Sequence, residues 1–280
     1  MAARSAYDIG AQGATHMIID LTGLRAVVTG STSGIGFAIA RGLAGSGAAV
    51  VINGRSQKNV DAALARLAKE LPQAKVEGVT ADLATADGAA TFVAQVPAAD
   101  ILVNNLGIFE PKPFDEISDA DWLRFFETNV MSGVRMSRHY LPGMVAKGWG
   151  RVVFISSESG LHIPVEMIHY GTTKTAQLAI SRGLAETVAG SGVTVNAVLP
   201  GPTASEGVEQ FVKDLARDGN KTPEQVEQEF FANMRPTSLI KRFETVEEIA
   251  NVCVFLASEQ ASAVTGTAAR VDGGVVRSVF

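Results

Sequence analysis

From Leu24 onward, short runs of uninterrupted apolar character alternate with segments of helical period. "LRAVVTG", "AAVVING", "AKVEGVTADL", "ADILVNNLG", "GRVVFISS" and "GVTVNAVLPG" carry few polar residues inside the run. A strand that is apolar at nearly every position must be covered on both faces, which antiparallel meanders seldom achieve. The segments between the runs are long enough for crossover helices. "GIGFAIARGLAGSG" stops at Gly47, and "QKNVDAALARLAKEL" is amphipathic and ends at Pro72. A shorter helix is expected through Val96, and "SDADWLRFFETNVMSGVRMSRHYLPGMVAKG" opens with a Ser/Asp cap signal. "YGTTKTAQLAISRGLAETVAG" and "TVEEIANVCVFLAS" are further helices, and "GTAARVDGG" is a last strand. The expected architecture is α/β, a doubly wound parallel sheet of about seven strands with helices on both faces.

The pattern weakens between Thr203 and Arg242, where polar helical pieces interrupt the sheet. The first 17 residues show no periodicity. The organisation expected is a loose extension over 1–17 and one cofactor-binding and catalytic domain over 18–280, with a substrate-loop insertion near 203–242. Apolar residues make up 46% of the 280 and charged residues 19%, enough to build a large core. The net charge of −5 gives no footing for nucleic acid. No apolar run is long enough to span a bilayer, so no membrane partner is expected. The lone Cys253 excludes an internal disulfide framework, reads as a buried small hydrophobe and fits a cytoplasmic setting.

"TGSTSGIG", Thr29 to Gly36, follows the first strand and opens a helix. Gly30 permits a tight turn, Gly34 lets a ligand approach the backbone, and Gly36 lets helix pack on strand. Free N–H groups at a helix start suit a phosphate, so this Rossmann-type turn points to a dinucleotide. At the end of the second strand, where an acid often holds the ribose hydroxyls, "NGRS" carries Arg55 instead. A guanidinium suits a 2′-phosphate, so NADP(H) is favoured and NAD(H) is the alternative.

Tyr170 and Lys174 lie four apart on an expected helix and share a face. A phenol at its ordinary value near 10 is a poor base, and a neighbouring ammonium favours the phenolate. Ser157, thirteen residues before Tyr170, ends the fifth strand, and its hydroxyl would polarise a carbonyl; Ser156 is its rival. His162 and His169 lack ligand spacing, and no metal is expected. Glu158 and Glu166 are expected to face water.

"TGSTSGIG", "NNLG", "ISSESG", "YGTTK" and "LPGPT" together resemble the short-chain dehydrogenase/reductase family, in its single-domain branch. The resemblance runs from about Leu21 to the C-terminus. It implies that Tyr170 is the general acid in reduction and the base in oxidation. Lys174 would lower the Tyr170 pKa and hold the nicotinamide ribose, and Ser157 would bind the substrate oxygen. Asn129 resembles the family asparagine that supports a water in a proton relay. Gly30, Ser31, Thr32, Ser33 and Ile35 would surround the pyrophosphate and adjoining ribose. Asp82 and Leu83 would lie by the adenine, and Asn105 and Gly107 would line the cofactor cleft. Pro200, Gly201 and Thr203 would border the nicotinamide. Leu106 departs from the usual alanine of that motif and would reshape the cleft floor. The implied activity is interconversion of a carbonyl and a secondary alcohol by hydride transfer, with 3-oxoacyl thioester reduction as one assignment. The alternatives are a nucleotide-sugar epimerase or dehydratase, and a non-catalytic redox sensor. The resemblance also implies a homotetramer or homodimer joined through Asp119–Lys147 and Tyr170–Ala189.

Overall fold

A computed structural model describes residues 17–219 and 221–279. The expected extension over 1–17 lies outside these residues except for the exposed Met17. The strands are β1 (Arg25–Val28), β2 (Ala49–Gly54), β3 (Val76–Thr80), β4 (Ile101–Asn104), β5 (Gly150–Ile155), β6 (Val193–Pro200), β7 (Thr203–Ala204), β8 (Glu244–Thr245) and β9 (Ala268–Val271). The helices are α1 (Gly34–Gly45), α2 (Gln57–Glu70), α3 (Ala86–Gln95), α4 (Asp119–Phe126), α5 (Ser132–Lys147), α6 (Ile168–Thr187), α7 (Glu206–Asp218), α8 (Pro223–Glu229) and α9 (Val246–Leu256). The main sheet runs β3-β2-β1-β4-β5-β6-β9, and every pair in it is parallel. The expected seven-stranded doubly wound sheet is what forms.

Strand alternation divides the core in two. Val28, Val50, Ile52, Val103, Val153 and Ile155 point to the face covered by α1 and α9, where Phe37, Leu43, Ile249 and Cys253 complete the packing. Val27, Val51, Leu102, Val152, Phe154 and Val195 point to the other face, against Phe92, Met136, Tyr140 and Met144. β4, β5 and β6 are buried at every position, as their unbroken apolar runs require.

The strand order reverses between β1 and β4, and their carboxyl ends diverge into a crevice. Two asparagines fasten the strand ends there. The Asn105 side-chain amide donates to the carbonyls of Thr29 and Gly30, both at 2.9 Å. Asn53 donates to the carbonyls of Val79 and Ala81, both at 3.1 Å, and accepts from the Gly30 N–H at 3.3 Å. α4 and α5 form one continuous rod, broken in register by a π-turn at Glu127–Met131. The segment between β6 and α9 holds α7, α8 and a second π-turn at Phe230–Met234. It is closed at its base where β7 pairs with β8.

The turn after β1 leaves no room for added volume. A Cβ on Gly36 would fall 2.4 Å from Asn105 Nδ2 and 2.6 Å from the Gly30 carbonyl oxygen. Gly36→Ala is therefore expected to lose about 2 kcal/mol of stability through forced displacement of the turn. Gly143→Ala, in α5 with nothing within 4 Å, is expected to gain up to ~1 kcal/mol. Urea denaturation of both variants checks this, and the reverse ranking would contradict the packing described.

Candidate active site

The glycine turn puts backbone donors at the start of α1. Gly30 and Gly34 have φ of 59° and 57°, a region open to glycine and strained for other residues. The Ser31 hydroxyl is buried, donating to the Val28 carbonyl at 2.6 Å and accepting from the Asn53 N–H at 2.9 Å. Thr32 and Ile35 are half-buried, and Ser33 is the exposed N-cap residue of α1. The Gly34 N–H donates at 2.6 Å to a carboxylate oxygen of Glu206, from α7. An anion thus already rests on the helix start, the chemistry a phosphate would use. Arg55 is exposed just past β2, with no ion-pair partner among the described residues. Asp82 is half-buried and its carboxylate accepts from the Ala84 N–H at 3.2 Å. The Leu83 side chain is packed in the core, so only its backbone can face a nucleotide. These residues fit a dinucleotide carrying a pyrophosphate, and Arg55 is free to meet a further phosphate.

Across the crevice, α6 brings Tyr170 and Lys174 to the end of β5. Ser157 ends that strand region, and its hydroxyl lies close enough to the Tyr170 phenol to pull the phenol pKa down. Its rival Ser156 is committed elsewhere: it donates to the Lys174 carbonyl at 2.8 Å. Lys174 Nζ is buried and donates to the Ile155 carbonyl at 2.9 Å and to Gln177 Oε1 at 3.4 Å. A Cβ on Gly107 would sit 3.4 Å from Lys174 Nζ and 3.5 Å from Asn129 Oδ1, so these three residues meet at one point. Asn129 lies in the first π-turn, a feature frequent at functional sites. Its side chain accepts from the Ile108 N–H at 2.8 Å and donates to Thr173 Oγ1 at 2.9 Å, and its carbonyl accepts from Gln177 Nε2 at 2.5 Å. Gln177 therefore links Lys174 to the Asn129 carbonyl, a role the sequence reading did not anticipate. Pro200 ends β6, the Gly201 N–H donates to the Val271 carbonyl at 2.8 Å, and the Thr203 hydroxyl donates to the Gly201 carbonyl at 2.9 Å.

Three expectations need correction. First, the Tyr170 phenol is not lowered below its ordinary value: burial pushes it up to about 12 and outweighs the pull of the neighbouring Ser157 hydroxyl, with Glu158 adding to the rise and Arg235 opposing it. Burial likewise pushes the Lys174 ammonium down to about 7, so the charge beside the phenol is itself suppressed. Second, Glu158 does not face water. It is buried and accepts from Arg235 Nε at 2.9 Å. Third, Glu166 is half-buried and shares the same guanidinium at 3.3 Å. Of the histidines, His162 is exposed, and His169 is buried between Trp122 and Phe125, with its pKa lowered by burial.

A lysine that titrates lower folded than unfolded weakens the protein fully at and below about pH 7, and the penalty fades as pH rises towards the unfolded value of 10.5. Lys174→Met should thus raise the melting temperature of the cofactor-free protein at pH 7, by the equivalent of about 1 kcal/mol or more, while turnover collapses. The gain should shrink by pH 9.5. Calorimetry at both pH values checks this; a constant difference, or destabilisation at pH 7, would show that the buried ammonium is not the cause.

A family model described as enoyl-(acyl carrier protein) reductase matches residues 30–276. The chain is 49% identical to the uncharacterized oxidoreductase YvaG of Bacillus subtilis, over 94% of this chain and 100% of that protein. It is 36% identical to the D-beta-hydroxybutyrate dehydrogenase of Rhizobium meliloti, over 89% and 97%. Among solved structures it resembles the L-sorbose reductase of Gluconobacter frateurii, complexed with NADPH and L-sorbose, with a TM-score of 0.89 at 34% identity over 94% and 100% of the two chains. With the parallel sheet, the glycine turn and the Ser157, Tyr170 and Lys174 cluster, these matches place the chain in the short-chain dehydrogenase/reductase family, as an NAD(P)-dependent oxidoreductase acting on CH–OH groups.

Proposed function

We propose that the chain interconverts a ketone and a secondary alcohol with NADP(H), using Ser157, Tyr170 and Lys174. The observation that carries this reading is the grouping of Ser157 beside the Tyr170 phenol with the buried Lys174, whose Nζ lies 5.6 Å from the centre of the Tyr170 ring. The substrate oxygen would lie between the two hydroxyls. Tyr170 is protonated at neutral pH, since burial holds it near 12, and is ready to give its proton to the oxygen in the reducing direction. Ser157 steadies the negative charge that develops there. Bound nicotinamide supplies or receives the hydride. The turn at Gly30, Ser31, Thr32, Ser33 and Ile35 would hold the pyrophosphate, with Glu206 giving up the Gly34 N–H to it. Asp82 and the Leu83 backbone would border the adenine, Asn105 and Gly107 the cleft floor, and Pro200, Gly201 and Thr203 the nicotinamide. Asn129, linked to Lys174 through Gln177, would fix the lysine and the proton path behind it. The segment over 203–242 would close over the substrate within one domain. The exposed Leu123 and Phe126 on α4 support association of copies through the long helices.

Support for NADP(H) comes from the exposed, unpaired Arg55 and the lack of an acid at that strand end. The relatives carry different substrates in their names, so substrate must be read from the chain's own side chains.

Tyr170→Phe should lower kcat by about 10²–10⁴ with a small ketone, the range expected for loss of a positioned proton donor. NADPH affinity should change little; unchanged turnover would remove Tyr170 from the reaction. Arg55→Ala should weaken NADPH by about tenfold and leave NADH unaffected, as one lost charge-assisted contact implies; equal losses for both would remove the 2′-phosphate contact. Binding of the anionic dinucleotide should also restore charge to Lys174. At pH 8 most free enzyme has this lysine neutral, so binding should take up close to one proton, ~0.9 at most. Titration calorimetry in buffers of different ionisation enthalpy measures it, and Lys174→Met should abolish it. Zero uptake by the wild type would contradict the assignment.

A further inference from the structure

Behind the reacting end of α6 lies a buried amide. Tyr170, Lys174 and Gln177 fall at i, i+4 and i+7 and share one face of that helix. Gln177 is 2% exposed. Its Oε1 accepts from Lys174 Nζ at 3.4 Å, and its Nε2 donates to the Asn129 carbonyl at 2.5 Å. The ammonium needs an acceptor and the carbonyl needs a donor, so chemistry settles which way this amide points. Asn129 is itself clamped on the Ile108 backbone: its side chain accepts from the Ile108 N–H at 2.8 Å and donates to the Ile108 carbonyl at 3.0 Å. The far end of the Gln177 amide is therefore anchored to a fixed turn.

A buried glutamine is tolerated where both ends of its amide are bonded, because an unmet polar atom in the interior is costly. An apolar residue would fill the same space without that demand. The groups that face Lys174 explain why an amide stands there. β5 offers the neutral Ile155 carbonyl at 2.9 Å, and the centre of the Tyr170 ring lies 5.6 Å from Nζ. Just past β5, Glu158 is committed to Arg235, and in the π-turn Glu127 is paired with Arg135. Among the described residues no carboxylate meets the ammonium, and burial alone lowers its proton affinity. The Gln177 Oε1 dipole is left as the side-chain group that favours the charged form. An amide neither gains nor loses a proton near neutral pH, so Gln177 holds the lysine without carrying its proton onward. On another side Nζ approaches Gly107, where an added Cβ would lie 3.4 Å from it.

Taking the oxidoreductase reading above as given, we propose that Gln177 is a positioning residue for the reaction, holding Lys174 Nζ towards the cofactor crevice and stabilising its charged form. Asn129 acts through this amide, by fixing its far end. The lysine gains and loses its proton on the side of Gly107 and Tyr170, because the side of Gln177 is closed by a group that does not titrate.

NMR of the cofactor-free protein, isotope-labelled at the lysine ε carbons, follows Lys174 directly, with its resonance assigned by its loss in Lys174→Met. The wild-type midpoint should lie at about pH 7. Gln177→Glu keeps the shape and adds an opposite charge, so the midpoint should rise by about one pH unit or more. Gln177→Met removes the acceptor and should lower the midpoint. With NADPH and a small ketone, Gln177→Met should lose about tenfold in kcat with little change in the ketone KM, and Gln177→Glu should recover part of the loss. A merely structural glutamine would cost stability and leave the midpoint in place. Unmoved midpoints in folded variants, or full kcat in Gln177→Met, overturn the proposal and leave the oxidoreductase reading intact. Should neither variant fold, the wild type decides: the Gln177 side-chain amide resonances should shift in step with the Lys174 titration, and resonances that stay fixed overturn the proposal. No turnover of any carbonyl by the wild type overturns both.

Discussion

The site depends on the strand ends around the β1–β4 switch point being tied to one another. Hydrogen bonds from two side-chain amides, Asn53 at the end of β2 and Asn105 just past β4, perform this task. Asn105 bonds the last carbonyls of the β1 turn, and Asn53 bonds the ends of β3 and the Gly30 N–H. The Thr29 hydroxyl adds a third tie, accepting from the Asn105 and Leu106 N–H groups, both at 3.0 Å. A parallel sheet ends in unpaired backbone groups at its carboxyl edge, and a buried unpaired group is costly. Satisfying those groups from side chains lets the turn stay open and the donors of α1 point outward. A longer or shorter side chain at either position would have to leave carbonyls unpaired or push the strands together.

On the opposite wall the same low dielectric has a different use. Lys174 is dry because α6 packs it against β5, and it has no carboxylate partner. A stable protein without a function there would place an apolar residue in that spot, because burying an ammonium costs free energy. The π-turn that carries Asn129 similarly sacrifices helical regularity. It brings an amide side chain and a carbonyl to bear on Gln177, which spans from the lysine to the turn. A buried ammonium and a π-turn thus meet where α6 packs on the rod of α4 and α5.

Much of this was legible in the sequence, for identifiable reasons. Unbroken apolar runs dictate strands buried on both faces, and the glycines at 30, 34 and 36 leave few other conformations for the turn. The thirteen-residue spacing selected Ser157 over Ser156, and the structure shows Ser156 occupied with the Lys174 backbone. The misses share a cause. Spacing shows that Tyr170 and Lys174 share a face, but their proton affinities depend on how much water each loses, which spacing does not carry. Glu158 looked like a loop charge because its partner lies 77 residues away in a polar segment without a clear pattern. Asn53 was overlooked beside Arg55, since a tether to two carbonyls has no sequence signature. Local pattern reports the period of an element; long-range pairing of polar groups is settled only when the elements are packed.

That long-range pairing also ties the segment between β6 and α9 to the rest of the fold at two separate places. Glu206 reaches the Gly34 N–H and Arg66, the latter at 3.1 Å, while Arg235 reaches Glu158 and Glu166. Its root is fixed by the short β7–β8 pair and by the Gly201 N–H, which donates to Glu244 at 3.1 Å. Burial pushes the Glu244 carboxyl up to about 8, so at neutral pH it is largely neutral and adds little charge near Gly201. The segment therefore sets an anion against the start of α1 and a cation against the two carboxylates just before α6. An anion arriving at the Gly34 N–H has to displace Glu206, whereas the Arg235 guanidinium is already shared between Glu158 and Glu166. Exchange at one place and a fixed tie at the other follow from which donors are already used, and that difference is written in the pairing of two side chains on one segment.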